Sequence, residues 1–404
     1  MSGEGYFMKK PMQLYIHIPF CVKKCAYCDF LSFAADEKTQ EAYVAALQKE
    51  LDFYGSKYSD RYISTIFIGG GTPSWISEDA MASIMDCVYR NFEVASDVEI
   101  TIECNPGTVS DAKFAVYKEI GINRLSIGLQ SANDEELKTL GRIHTFEQFL
   151  RTYDKARHHG FDNINVDLMS ALPGQTPEGF ISSLKKVIRL KPEHISAYSL
   201  IIEEGTPFYD KYQKDVELRE AGYKTTMLPT EEEEYQTTKR TQELLQEKGY
   251  HWYEISNFAK PGKECRHNIG YWKRADYLGV GLGAASLIDN VRYANTRDLY
   301  DYIASPAKST MQTSLNCGYV VESSEVVSRD AQMEEFMFLG LRMVDGFHRE
   351  EFEKSFGVAI EGVYGAELKR LQQEELLVQK EGRIRLTEKG IDVSNYVLSQ
   401  FLLS

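Results

Sequence analysis

Between Gln13 and about Leu200, short apolar, often β-branched runs alternate with longer amphipathic stretches. No other feature of the chain restricts its fold as much. The runs Leu14–Ile18, Thr65–Ile68, Val98–Glu103, Arg124–Leu129, Asn163–Leu168 and His194–Leu200 read as strands. Gln40–Tyr54, Glu78–Asn91, Phe146–His159 and Pro177–Leu190 lie among them and carry helical periodicity. Strands separated by helices pair in parallel, because each connection must cross back over the sheet. The expected fold class is therefore α/β, and six such units fit a partial (β/α)6 barrel of the TIM type better than a complete eight-stranded one. A doubly wound open sheet stays open as an alternative. Chemically distinctive residues stand at the ends of the strand runs or just after them: Cys21 to Cys25, Gly69 to Pro73, Glu103, Gln130 and Asp167. In β/α barrels the functional residues gather at the carboxyl ends of the strands, so five ends would share one face.

After Ile202 this rhythm stops. Residues 203–229 read as irregular; then come a helix over Glu231–Lys248, a strand-like run Tyr250–Ser256, a loop with His267-Asn268-Ile269-Gly270-Tyr271-Trp272 and a glycine-rich run 279–283. Three helices, two short strands about a Glu381-Gly382 turn and a last helix suggest a winged-helix-like α+β module. The expected division is a core over 1–230, a connecting region over 231–328 and this module over 329–404.

The net charge of −14 argues against a nucleic-acid partner, which needs clustered Lys and Arg. The module is therefore expected to cover the barrel mouth or to dock a protein. The acidic tract Glu231–Glu234 reads as a helix start capped by Thr230. No run approaches the roughly 18 apolar residues of a membrane span, and the N-terminus lacks the apolar stretch of a signal peptide. The expected location is cytoplasmic, and Met8 or Met12 would serve equally as the natural start. Seven cysteines, at 21, 25, 28, 87, 104, 265 and 317, do not make a disulfide framework. Cys87 and Cys104 read as small buried hydrophobes.

Three of the seven fall within eight residues, as Cys21-x-x-x-Cys25-x-x-Cys28. A cubane 4Fe–4S cluster held by three thiolates keeps one iron open for a small molecule. The amino and carboxylate groups of S-adenosylmethionine (SAM) suit that position, and electron transfer from the cluster can cleave its C–S bond. Lys23 and Lys24 would favour the thiolates. Structural zinc needs a fourth ligand, for which only His17 or Asp29 is near.

The triad, with Tyr15-Ile16-His17-Ile18-Pro19-Phe20 before it and Gly69–Pro73 after it, resembles the oxygen-independent coproporphyrinogen III oxidase-like branch of the radical-SAM superfamily. The match runs over almost the whole chain and is most similar to the HemW haem chaperones. The resemblance implies SAM contacts at Tyr15, Gly70, Gly71, Thr72, Glu103, Gln130, Arg142 and Asp167. Glycines allow a ligand to approach the backbone closely, and Arg142 suits the SAM carboxylate.

True coproporphyrinogen dehydrogenases carry a fourth cysteine two residues after the third, where this chain has Phe30. They also carry a longer N-terminal extension. These departures put porphyrinogen decarboxylation in doubt. His267 is the candidate haem ligand, since imidazole is a common axial ligand, with Tyr271 and Trp272 as faces for a porphyrin and Cys265 as an alternative thiolate. The favoured reading is a haem chaperone that binds a 4Fe–4S cluster, SAM and haem. Its implied partners are a haem donor and haem-accepting proteins, among them respiratory haem enzymes at the membrane, which would make it peripheral there; a homodimer is compatible. The alternatives are a coproporphyrinogen III oxidase and a radical-SAM enzyme with an unrelated substrate.

Overall fold

A computed structural model describes residues 9–304 and 320–403; Met8 and Cys317 lie outside the described residues. The six expected strands form as β1 (Lys10–Ile18), β2 (Arg61–Gly70), β3 (Glu93–Cys104), β4 (Arg124–Gln130), β5 (Ile164–Ser170) and β6 (His194–Ser199). They lie side by side in that order and are all parallel. A doubly wound sheet would reverse its strand order, and this one does not. Right-handed crossovers in one sequential direction put every helix on the same face and leave the other face as the inside of a partial barrel.

Side-chain alternation follows from this curvature. Leu14, Ile16, Ile18, Ile66, Ile68, Ile100, Ile102, Leu125, Ile127, Val166 and Leu168 point outward into the helices and form one continuous core. The alternate positions face inward and are largely polar: Gln13, Tyr15 and His17 on β1, Thr65 on β2, Glu99, Thr101 and Glu103 on β3, Arg124 and Ser126 on β4. A polar interior in a barrel marks a binding space, since burying such groups without partners costs free energy.

The sheet extends at both edges. β7 (His251–Glu254) and β8 (Asn257–Ala259) form a tight hairpin that joins β6 antiparallel. On the other side β9 (Tyr277–Val280) runs parallel to β1 and is followed by β10 (Ala285–Ile288), β11 (Val291–Asn295) and β12 (Val321–Val326), antiparallel in turn. Residues 203–229, expected to be irregular, contain a helix over Pro207–Glu220. Pro207 occupies its first turn and the Thr206 hydroxyl caps it, so the proline starts a helix instead of preventing one. Thr230 and Glu233 form a reciprocal capping box at the acidic tract.

The C-terminal module has its own core of Met333, Met337, Phe352, Leu368, Leu371 and Ile384, among others. Its helices surround a small antiparallel sheet of β13 (Phe347–His348), β14 (Leu377–Lys380) and β15 (Arg383–Leu386). The module does not cover the carboxyl-end mouth. Glu335 pairs with Arg274 and Arg292, Arg342 lies over the Trp272 ring, and the Val344 N–H donates to the Tyr253 carbonyl. These contacts place it against the segment that closes the amino end of the barrel. No helix among the described residues is long and apolar enough to cross a membrane.

Candidate functional site

β1 ends at Ile18, and the chain then makes a loop that carries Cys21, Cys25 and Cys28 over the carboxyl ends of the strands. The loop is anchored at both sides: the Cys21 N–H donates to the Phe33 carbonyl, and the Ala26 N–H to the Leu140 carbonyl. All three cysteines are free and line one pocket of about 740 Å³, open on one side. Gly70, Gly71, Thr72, Glu103, Gln130, Arg142 and Asp167 line the same pocket. Among the described residues no group of three His, Cys, Asp or Glu side chains closes on a single metal ion. The three thiols face one pocket from one short loop, which suits a cubane that takes one thiolate on each of three irons. This donor set fits the cluster.

Hydrogen bonds tie the wall together. The Gly70 N–H donates to Glu103 Oε2 at 3.0 Å, and Thr72 donates to Cys21 Sγ at 3.4 Å. The Arg142 guanidinium reaches Cys25 Sγ at 3.7 Å and the Gly128 carbonyl at 2.6 Å. Asp167 accepts from Asn165 at 2.7 Å and Ser126 at 3.2 Å. Tyr198 donates to Gln130 Oε1 at 2.9 Å, and Gln130 holds a left-handed backbone with φ of 70°. Such strain in a non-glycine residue is typical of sites whose surroundings enforce it.

Burial, then the nearby Asp167 charge, pushes the Glu103 carboxyl up to about 8. Asp167 is raised too, by burial. Neither carboxyl makes an ion pair with the Arg142 that shares the pocket, and both suit a ligand that supplies positive charge or hydroxyl donors. Burial also raises the Cys28 thiol; the Phe30 amide, Ser32 and Lys24 oppose this without reversing it. Lys24 donates to the Phe30 carbonyl at 2.9 Å and thereby braces the loop.

Two expected site residues are elsewhere. Tyr15 is not in the pocket lining; its hydroxyl bonds His17 Nδ1 at 3.0 Å, and His17 Nε2 meets the Leu31 carbonyl at 3.0 Å. Tyr15 therefore touches the cluster loop through His17. His267 is buried inside the barrel, 1% exposed, and outside the pocket lining. Its Nδ1 bonds Thr65 Oγ1 at 2.8 Å, its Nε2 bonds the Tyr271 hydroxyl at 3.0 Å, and its ring lies 5.3 Å from that of Phe67. Burial, with the Arg124 charge second, lowers its pKa to about 3.

The segment around His267 is a helix, Arg266–Trp272, and not the expected loop. Glu99 on β3 accepts the N–H groups of Arg266 and His267, each at 3.1 Å, and so caps that helix from across the barrel. Cys265 is fully buried with its thiol directed at Glu99 at 3.6 Å, and its pKa is pushed up to about 12, chiefly by burial. Tyr271 packs edge-on against both His267 and Tyr277, and Trp272 lies under Arg342. The faces expected to receive a porphyrin are thus in contact with protein.

The pocket also contains residues that sequence reasoning passed over: Asn105, Tyr27, Ser126, Gly128 and Tyr198. Asn105 lies two residues after Glu103 in a segment that already stood out, Glu103-Cys104-Asn105-Pro106. Ser126 and Gly128 lie two residues apart on β4, hence on one inward face.

Comparison with known proteins agrees with this geometry. Residues 15–187 match the radical SAM superfamily model, and residues 327–393 match the HemN C-terminal domain model. The protein named heme chaperone HemW of Lactococcus lactis is 35% identical over 397 residues, covering 98% of each chain. That of Bacillus subtilis is 36% identical over 389 residues, 96% of this chain and 98% of the relative. Among solved structures, the coproporphyrinogen III oxidase HemN of Escherichia coli, described as a radical SAM enzyme, superposes with a TM-score of 0.81. It is 24% identical and covers 98% of this chain and 90% of that one, which establishes a shared fold. The triad pocket, the barrel around it and the full-length likeness together place this chain in the HemW family of the radical-SAM superfamily.

Proposed function

We propose that this protein is a haem chaperone that holds a 4Fe–4S cluster on Cys21, Cys25 and Cys28, binds SAM beside it, and receives haem for delivery to acceptor proteins. The observation that carries this reading is the three free thiols lining a pocket that Glu103, Asp167, Gln130 and Arg142 also line. When bound, the cluster supplies an electron and the open iron to which SAM attaches. The protein's own residues do the rest. Gly70 and Gly71 bring backbone close to the ligand, Glu103 and Asp167 receive its donors, and Arg142 faces its carboxylate. The full-length relatives are named heme chaperones, and Phe30 stands at the position of the extra cysteine of the porphyrinogen enzymes.

His267 serves as haem ligand in this proposal only after Arg266–Trp272 moves off β2 and β3, because both imidazole nitrogens are engaged. The test is anaerobic reconstitution followed by haem titration and a coproporphyrinogen assay on the same sample. About one haem per chain and no protoporphyrinogen is the expected result. Protoporphyrinogen at catalytic rates would establish the oxidase alternative, and SAM cleavage with no Soret band would point to another substrate.

A further inference from the structure

One amide stands behind the donors to two of the three thiols. Asn105 Nδ2 donates to Thr72 Oγ1 at 2.8 Å, and the Thr72 hydroxyl passes its own proton toward Cys21 Sγ at 3.4 Å. On the other side, Asn105 Oδ1 accepts from Arg142 Nη2 at 2.6 Å, and Nη1 of that guanidinium reaches Cys25 Sγ at 3.7 Å. The backbone keeps this arrangement in place. The Asn105 N–H donates to Ser74 Oγ at 3.1 Å. A Cβ on Gly128 would lie 3.1 Å from Asn105 Oδ1 and 3.2 Å from Arg142 Nη2, so any side chain there would press both groups out of place by a few tenths of an ångström.

The chemistry requires an amide. The side chain must donate to Thr72 and accept from Arg142 at once, which asparagine does and aspartate does not. A carboxylate of the same shape has no proton for Thr72, so the threonine hydroxyl would turn to donate to it and leave Cys21. Donors to a cluster's sulfur ligands draw off electron density and favour the reduced state, raising the potential.

We propose that Asn105 is a positioning residue for the cluster: it holds Thr72 and Arg142 as hydrogen-bond donors to the Cys21 and Cys25 sulfurs and thereby sets the cluster's reduction potential. This rests on the cluster reading above and goes beyond it by naming what tunes the cluster.

The experiment is an EPR-monitored redox titration of the reconstituted full-length protein without SAM, with iron and sulfide content measured alongside. Asn105→Asp removes the proton for Thr72 and adds a charge beside Arg142. It should shift the reduction equilibrium at least tenfold toward the oxidised cluster, about 59 mV for one electron. Thr72→Val removes the same donor without a charge and should shift it in the same direction by less. The Asn105→Asp shift should shrink in a Thr72→Val background, since both act through one hydroxyl. Wild-type potential in Asn105→Asp at wild-type cluster content overturns the proposal. If Asn105→Asp does not hold a cluster, an unchanged potential in Thr72→Val overturns it instead. Wild-type protein that assembles no 4Fe–4S cluster removes the cluster reading and this inference with it.

Discussion

Gly70 faces the His17 ring so closely that a Cβ there would lie 2.6 Å from both Cε1 and Nδ1 of the imidazole. The ring has nowhere to go, since Tyr15 holds one nitrogen and the Leu31 carbonyl the other. Gly70 also has φ of +117°, which side chains with a Cβ rarely adopt. Gly70→Ala therefore combines backbone strain of about 1–3 kcal/mol with a clash at the base of the cluster loop. The expected outcome is a lower melting temperature and reduced iron retention after reconstitution. A variant that melts and loads like the wild type would show that His17 is free to move.

Glu103 gives the pocket a pH signature. Its folded pKa is pushed up to about 8, above the ordinary carboxyl value of 4.5, mainly by burial. Between these values the unfolded chain has released the proton while the folded chain still holds it. Stability contributed by this group is therefore full below about pH 4.5, declines as pH rises and is lost above 8. Glu103→Gln keeps an acceptor for the Gly70 N–H but does not ionise. In melts of cluster-free protein, the variant should gain on wild type from pH 5 to 8, by a few kcal/mol at most, and then run parallel. A constant gap across that range would mean that Glu103 titrates normally. The same variant should bind SAM more weakly in the reconstituted protein.

The six barrel strands were legible because each carries apolar residues at alternate positions, such as Leu14, Ile16 and Ile18, that pack on helices wherever the barrel closes. The pocket residues were legible because the triad and the glycines mark strand ends, and strand ends in such barrels converge. The helix Arg266–Trp272 was not, because its cap is Glu99, 167 and 168 residues distant from the amides it accepts. Nor was Asn105, whose meaning depends on Thr72 and Arg142, 33 and 37 residues away. A short helix and a single amide carry no periodic signal, and only the closed barrel supplies their partners.

The cap on that helix can be tested directly. Glu99→Ala leaves the Arg266 and His267 amides without an acceptor inside the protein, and bonds to a charged group contribute about 1.5–3 kcal/mol each. The buried Arg124, whose Nε has no hydrogen-bond partner among the described residues, also loses a nearby negative charge. Hydrogen exchange of residues 265–272 should accelerate well beyond that of β1 and β2. Unchanged protection there would mean that packing against Phe67 and Tyr277, and not Glu99, retains the helix.

Tyr271 decides how accessible the His267 imidazole is to iron. When the helix leaves β2 the Nδ1 bond to Thr65 is given up, but Tyr271, four residues on in the same helix, moves with His267. The Tyr271 hydroxyl then occupies the Nε2 lone pair at 3.0 Å and competes with any metal. Tyr271→Phe removes this competitor and retains the ring that packs at 4.9 Å from His267. Loss of one neutral hydrogen bond, about 0.5–1.5 kcal/mol, corresponds to a roughly 2- to 10-fold gain in haem affinity. A Soret titration should show that gain in Tyr271→Phe and its abolition in Tyr271→Phe/His267→Ala, with SAM binding unchanged in both. Equal haem affinity in wild type, Tyr271→Phe and His267→Ala would place the haem ligand outside this helix.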